Sequence, residues 1–155
     1  IFVGGTLLVT ALANTGTKMF FARVRPEVLT DPLTSYSMPS GHASGSFALF
    51  LALAVLAGRG QPPRLRLTWL LLGCIPALAI ALSRVYLGAH WPTDVLAGAM
   101  LAACVCAAGL WLSQRRSPLG AMPQKVWWLV LPALVALFGF FVLRHLPHTL
   151  LRYSY

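Results

Sequence analysis

A cluster of ionisable residues separates two long apolar runs of the chain and includes Arg84, His90 and Asp94. Ionisable side chains are costly next to hydrocarbon, so such a cluster indicates a function. Pro92 is suited to open the next helix, which puts Asp94 in its first turn. A hydrogen bond from the His90 ring to Asp94 would fix the tautomer and leave the other ring nitrogen available for nucleophilic attack. A structural His–Asp pair that caps a helix is the alternative.

The tetrapeptide Pro39-Ser40-Gly41-His42 directly precedes another apolar run. Ser40 is a favourable N-cap, and helix capping alone is one interpretation of the motif. A helix start also offers unpaired N–H groups and a positive dipole end, which together bind anions. Gly41 lets a ligand approach the backbone closely, and His42 is placed to donate a proton to it.

Basic residues at the end of the first apolar run suit a phosphate group. Lys18 and Arg25 are about two helical turns apart, so both point the same way if the helix continues, and Pro26 then turns the chain. Snorkelling of these side chains toward lipid headgroups is the alternative. Arg23 lies off this face, and snorkelling is the prediction for it. Arg84 adds a cation whose planar fork matches a phosphate.

The composition of the elements around these residues predicts a membrane protein. The 155 residues are 58% hydrophobic and 10% charged, whereas soluble domains carry about 25% charged residues. Five segments are long and apolar enough to span a bilayer as helices: 1–18, 41–58, 66–84, 94–112 and 127–143. The predicted fold class is therefore all-α, a polytopic transmembrane helix bundle. The tail, residues 144–155, is predicted to lie along the interface.

The order of these spans places all three polar stretches on one side of the membrane. The loops on the other side contain basic residues and no acid: Arg59, Arg64, Arg66, Arg115, Arg116 and Lys125. By the positive-inside rule these loops face the cytoplasm, and the polar cluster faces away from it. The net charge of +9 is explained by this placement of basic residues in the segments between the spans. Nucleic-acid binding is not expected, because no basic stripe with interleaved aromatics lies outside the apolar runs.

Together the polar stretches resemble the signature of the type 2 phosphatidic-acid phosphatase superfamily, which includes the vanadium haloperoxidases. That signature is Lys-x6-Arg-Pro, Pro-Ser-Gly-His and Ser-Arg-x5-His-x3-Asp, and every position is matched. The matching residues are Lys18, Arg25, Pro26, Pro39, Ser40, Gly41, His42, Ser83, Arg84, His90 and Asp94. The resemblance makes residues 1–112 the expected phosphatase core and 113–155 an extra transmembrane helix with an interfacial tail. Membrane members usually have six spans, so two helices are expected upstream of Ile1.

The resemblance also implies a phosphate cradle. Lys18, Arg25 and Arg84 are expected to hold the phosphoryl oxygens, and Ser40 with the backbone of Gly41 completes the cradle. Stabilisation of a charged transition state by fixed cations is how proteins accelerate phosphoryl transfer. The three cations take the place of the usual metal, so no metal and no cofactor is expected.

The catalytic roles implied by the resemblance fall on two histidines and one aspartate. His90 attacks phosphorus and forms a phosphohistidine, while Asp94 orients the His90 ring. His42 protonates the leaving oxygen and then activates the water that releases phosphate. The remaining signature residues have supporting roles: Ser83, Pro26 and Pro39.

The implied activity is that of a membrane-embedded lipid phosphatase. The substrate would be a lipid phosphate or pyrophosphate monoester, such as phosphatidic acid, phosphatidylglycerophosphate or undecaprenyl pyrophosphate, and the partners are this substrate and membrane lipids. The expected location is the bacterial inner membrane, with the site on the extracytoplasmic side. Two alternatives stay open: a lipid phosphotransferase that uses the same phosphohistidine, and a non-catalytic module for anion binding or transport.

Overall fold

The computed structural model describes residues 1–26, 35–116, 119–120, 123 and 125–127. Its regular elements are α1 (Phe2–Phe21), α2 (Gly41–Ala57), α3 (Pro63–Tyr86) and α4 (Pro92–Arg116). No strand occurs within these ranges. The prediction of an all-α fold is therefore confirmed.

The helices extend past several of the span ends predicted from hydropathy. Lys18 falls inside α1 and Arg84 inside α3, while α4 begins at Pro92 as the sequence predicts. Backbone hydrogen bonds within a helix do not stop where the side chains become polar, so an apolar run marks only part of its helix. The helices thus carry both cations into the polar cluster.

Two of the described helices, α3 and α4, are long and apolar enough to cross a membrane. α2 is a shorter apolar helix of 17 residues, and the buried residues of the 20-residue α1 are polar. The number of five spans stays a prediction. The predicted span at 127–143 lies outside the described residues except for Trp127, and the tail at 144–155 lies entirely outside them.

α2 is the central helix and packs against α1, α3 and α4. Most of its buried side chains are alanine or serine, and such small residues let helix backbones approach closely. Gly98 of α4 faces the start of α2, where a Cβ atom would lie only 2.7 Å from the Ser40 carbonyl oxygen. Gly73 of α3 allows a similar approach, since a Cβ there would lie 2.9 Å from the Phe50 carbonyl oxygen.

Candidate active site

The three polar stretches meet at one end of the helix bundle. They are the segment after α1, the N-terminus of α2 and the turn between α3 and α4. The Ser37 N–H donates to the Arg23 carbonyl oxygen at 2.8 Å, which joins the first stretch to the second. The Ser40 N–H donates to the Asp94 carbonyl oxygen at 2.9 Å, which joins the second to the third.

α2 begins where the sequence predicts, at Gly41, with Ser40 as its N-cap. The Ser40 Oγ accepts from the Ala43 N–H at 3.4 Å, and Ser40 itself is fully buried. Gly41 and His42 follow in the first turn and are exposed. The start of α2 therefore presents a glycine backbone and a histidine ring to whatever binds at this end of the bundle.

A buried asparagine that the motifs do not include supports this turn. The Asn14 Nδ2 donates to the Ser44 Oγ at 2.9 Å and to the Pro39 carbonyl oxygen at 3.4 Å. A Cβ at Gly41 would lie 3.6 Å from the Asn14 Oδ1. Sequence reasoning missed this role, although a polar residue one turn before Lys18 in an apolar run was the available signal.

His90 lies in the turn between α3 and α4 and is only 3% exposed. Its Nε2 is 3.1 Å from the Arg25 Nη1. Because a guanidinium group can only donate, this contact assigns Nε2 as an acceptor and places the proton of the neutral ring on Nδ1. Burial, together with the cations Arg25 and Lys18, lowers the pKa of His90 to about 4. The ring is therefore neutral at pH 7, with a lone pair on Nε2.

The carboxylate of Asp94 is fully buried beside His90. Its Oδ2 lies 3.6 Å from the His90 Nδ1, which is longer than a hydrogen bond. The same oxygen accepts from the Ser37 Oγ–H and, at 2.9 Å, from the Trp91 N–H. Oδ1 pairs with Arg23 at 2.9 Å. The predicted His90–Asp94 pair is thus adjacent, and two further side chains hold the aspartate.

The prediction that Arg23 snorkels toward lipid headgroups is wrong. α1 ends at Phe21, and Ala22 adopts the left-handed conformation with φ of 44°. The helical spacing used to place Arg23 therefore does not apply beyond that residue. Arg23 instead reaches Asp94 and donates to the Thr93 Oγ1 at 2.6 Å. Sequence reasoning missed Arg23 and Ser37 because neither the left-handed residue nor the described non-helical residues around them have a distinctive pattern.

Arg25 also reaches the site from this non-helical segment. Its Nη1 donates to the Ala89 carbonyl oxygen at 2.7 Å, beside the His90 contact. Its Nε and Nη2 donate to the Ser35 carbonyl oxygen and Oγ at 2.8 and 2.9 Å. These bonds fix the plane of the guanidinium beside the predicted nucleophile.

Lys18 and Arg84 complete the group of cations. The Lys18 Nζ donates to the Tyr36 carbonyl oxygen. The carbonyl oxygen of Arg84 accepts from the His90 N–H at 3.2 Å, so the end of α3 fixes the histidine turn. Lys18, Arg25 and Arg84 all lie close enough to His42 and His90 to interact with both rings electrostatically. These five groups therefore lie near one another at the same end of the bundle.

The supporting residues named from the signature differ in their placement. Pro39 is fully buried under the start of α2, and Pro26 is half-buried directly after Arg25. Ser83 is exposed, and its Oγ donates back to the Ile80 carbonyl oxygen of the same helix at 2.7 Å. The structure thus brings the two prolines to the cluster, whereas the Ser83 hydroxyl bonds within α3.

This arrangement has the chemistry of a site for displacement at phosphorus. It combines a neutral histidine with an accepting nitrogen, a second histidine near the same cations, and three cations that can neutralise phosphoryl oxygens. Within the described residues no group of three or more His, Cys, Asp or Glu side chains could hold a metal ion. Metal independence stays a prediction.

Comparison with known proteins finds similar phosphatases. An undecaprenyl-diphosphatase from Sulfolobus acidocaldarius is 38% identical over 99 residues, which are 60% of this chain and 38% of that protein. Phosphatidylglycerophosphatase B from Bacillus subtilis is 34% identical over 93 residues, which are 56% of this chain and 44% of that protein. The chain thus spans about two fifths of the length of these curated relatives.

A solved structure and a family comparison extend this likeness. The crystal structure of a transmembrane PAP2 type phosphatidylglycerolphosphate phosphatase from Bacillus subtilis matches with a TM-score of 0.64 and 25% identity. The match covers 72% of this chain and 57% of that one, and with α3 and α4 it identifies a membrane protein. The model of the PAP2 superfamily matches residues 1–118, which confirms the resemblance found in the signature. The chain belongs to the PAP2 superfamily.

Proposed function

We propose that the chain carries the catalytic site of a membrane-embedded lipid phosphatase, which hydrolyses a lipid phosphate or pyrophosphate monoester through a phosphohistidine. The observation that carries this proposal is the placement of the His90 Nε2, whose accepting lone pair lies 3.1 Å from the guanidinium of Arg25. A phosphoryl group that displaces this contact would meet a nucleophile and a cation together. The lipid phosphatases among the named relatives support the substrate class.

In the proposed reaction the His90 Nε2 attacks phosphorus as the bond to the ester oxygen breaks. His42 gives a proton to the leaving oxygen, and Asp94 stabilises the positive charge that develops on the His90 ring. His42 then takes a proton from water, which attacks the phosphohistidine and releases phosphate. Phosphoryl oxygens replace the His90 ring as the acceptor of the Arg25 N–H, so the cation follows the negative charge.

The apolar surroundings of the site support a lipid substrate. Large hydrophobic side chains beside the polar cluster are exposed: Met19, Phe20, Phe21, Val24 and Trp91. Exposed apolar side chains of this size suit contact with lipid acyl chains. A lipid tail can therefore stay in the bilayer while its phosphate approaches the two histidines.

The proposed location is the bacterial inner membrane with the site on the extracytoplasmic side. The opposite end of the bundle holds basic residues, of which Arg59 lies between α2 and α3 and Arg64 lies in the first turn of α3. An excess of arginine and lysine marks the cytoplasmic side of a membrane protein. This distribution supports the proposed orientation.

The function is tested by phosphate release from a panel of lipid phosphates and pyrophosphates in detergent with EDTA present. We expect release by the wild-type protein and by an Arg64→Gln control at the opposite end of the bundle, and none by His90→Asn with unchanged thermal unfolding. Equal release by His90→Asn would contradict the mechanism, and release lost to EDTA and restored by a divalent ion would contradict metal independence. Transfer of the phosphoryl group to a second lipid would identify a phosphotransferase instead.

A further inference from the structure

Asp94 connects more of the site than its place in the signature requires. Its side chain is fully buried and receives donors from Arg23, Ser37 and the backbone of Trp91. A buried carboxylate is strongly unfavourable unless it is paired and hydrogen-bonded. Arg23 and Ser37 supply that pairing through their side chains, and neither belongs to the signature. We call these two residues the Asp94 clamp.

The clamp is itself fixed in position. The Arg23 Nη1 donates to the Thr93 Oγ1 at 2.6 Å, and its guanidinium lies 5.5 Å from the centre of the Trp91 ring. The backbone N–H of Ser37 donates to the carbonyl oxygen of Arg23 at 2.8 Å. The two residues therefore hold each other as well as Asp94, and Ser37 is fully buried. A fixed donor set orients an acceptor better than mobile side chains or water can.

The clamp determines which carboxylate oxygen faces the histidine. Oδ1 pairs with Arg23 at 2.9 Å, so Oδ2 is the oxygen that lies toward the His90 Nδ1, at 3.6 Å. Among the described residues that buried Nδ1 has no hydrogen-bond partner. A small approach of the two groups would form the bond. It would strengthen as the His90 ring becomes positively charged, because charge-assisted hydrogen bonds are shorter and stronger.

We propose that Arg23 and Ser37 are positioning residues of the reaction, which hold the Asp94 carboxylate so that Oδ2 accepts the His90 Nδ1–H when Nε2 attacks phosphorus. This inference rests on the proposed function. The positive charge on the His90 ring develops during the chemical step, so the clamp should affect the rate of that step. The three signature cations, by contrast, hold the substrate. Loss of the clamp should therefore lower kcat with little change in KM.

The test compares Arg23→Gln and Ser37→Ala with the wild-type protein in phosphate release. We expect kcat to fall about 10- to 100-fold in each, by analogy with the loss that follows when the hydrogen-bond partner of a metal-ligating side chain is removed. Arg23→Lys keeps the charge and should recover part of the rate. Matched controls at the opposite end of the bundle, Arg64→Gln and Ser113→Ala, should retain wild-type kcat. Thermal unfolding of every variant identifies any that does not fold. If Arg23→Gln does not fold, the kcat values of Arg23→Lys and Ser37→Ala test the proposal.

A double-mutant cycle separates positioning from a merely structural role. If the clamp acts through Asp94, Arg23→Gln should lower kcat no further in an Asp94→Asn background. Losses that multiply in the double variant, or an Arg23→Gln protein with wild-type kcat, would overturn the inference and leave the proposed function standing. A wild-type protein that releases no phosphate would overturn the proposed function and this inference with it.

Discussion

At the scale of single residues, the neutral state of His90 is the feature on which the chemistry depends. A protonated imidazole has no lone pair with which to attack phosphorus. Burial and the neighbouring cations Arg25 and Lys18 oppose protonation and lower the pKa of His90 to about 4. The contact between its Nε2 and the Arg25 guanidinium identifies the nitrogen that carries the lone pair.

This lowered pKa predicts how stability depends on pH. Between pH 4 and the ordinary value of 6.5 the unfolded chain binds a proton at His90 that the folded protein does not. Stability should therefore rise with pH through this window and be lost as pH falls toward 4. We expect the unfolding temperature of the wild-type protein in detergent to drop by several degrees as the pH falls from 6.5 to 4. The unfolding temperature of His90→Asn should drop by less. Parallel curves for the two proteins would contradict the assignment.

The residue scale also shows what the sequence could and could not provide. The spacing of His90 and Asp94 predicted that the two lie together, and they do. The spacing could not provide Arg23 or Ser37, because both lie in non-helical segments with no periodic pattern. A hydrogen-bonding role for Asn14 could have been predicted from the sequence, since a buried amide in an apolar helix needs partners. Its partners, however, are a carbonyl and a hydroxyl that only the fold brings near.

At the scale of elements, the close contact between α4 and the start of α2 positions the site. Gly98 permits this contact because its missing side chain leaves room for the Ser40 carbonyl oxygen. The same turn of α2 carries His42, and the same end of α4 carries Asp94. Hydropathy predicted both helices, but it could not predict which small residue makes the contact, since glycines recur throughout the chain.

A methyl group at Gly98 should therefore damage the site. In Gly98→Ala the added carbon would lie 2.7 Å from the Ser40 carbonyl oxygen and 3.1 Å from the Ser44 nitrogen, so the helices must move apart. We expect a loss of about 1–3 kcal/mol in unfolding free energy, as overpacked cores show, together with reduced phosphate release. Gly45→Ala on α2 is the matched control, because nothing lies within 4 Å of its added carbon. Equal stability of the two variants would contradict this packing.

At the scale of the whole molecule, polarity divides the two ends of the bundle. The site end contains Asp94 and the signature cations, while the loop from α2 to α3 at the opposite end contains arginine and no acid. Composition and loop charge were sufficient to predict a helical membrane protein with its site at one end. The number of spans could not be established in this way, because helix length and hydropathy identify α3 and α4 alone among the described helices.

The proposed orientation predicts which end a membrane-impermeant thiol reagent can reach. Tyr36 and Arg64 are exposed at opposite ends of the bundle, whereas Ser37 is buried and unsuitable. In a background with Cys74, Cys104 and Cys106 replaced by serine, we expect Tyr36→Cys to react in intact cells. Arg64→Cys should react only after the membrane is opened. The reverse pattern would place the site on the cytoplasmic side.

The most direct test of the central claim is to trap the phosphorylated enzyme. Protein is mixed briefly with a lipid phosphate labelled on phosphorus, quenched in alkali, in which phosphohistidine survives, and digested for mass spectrometry. The account predicts label on the His90 imidazole of the wild-type protein and none on His90→Asn. Rapid phosphate release with no label on His90, continuing in His90→Asn, would show that water attacks the substrate directly and would contradict the account.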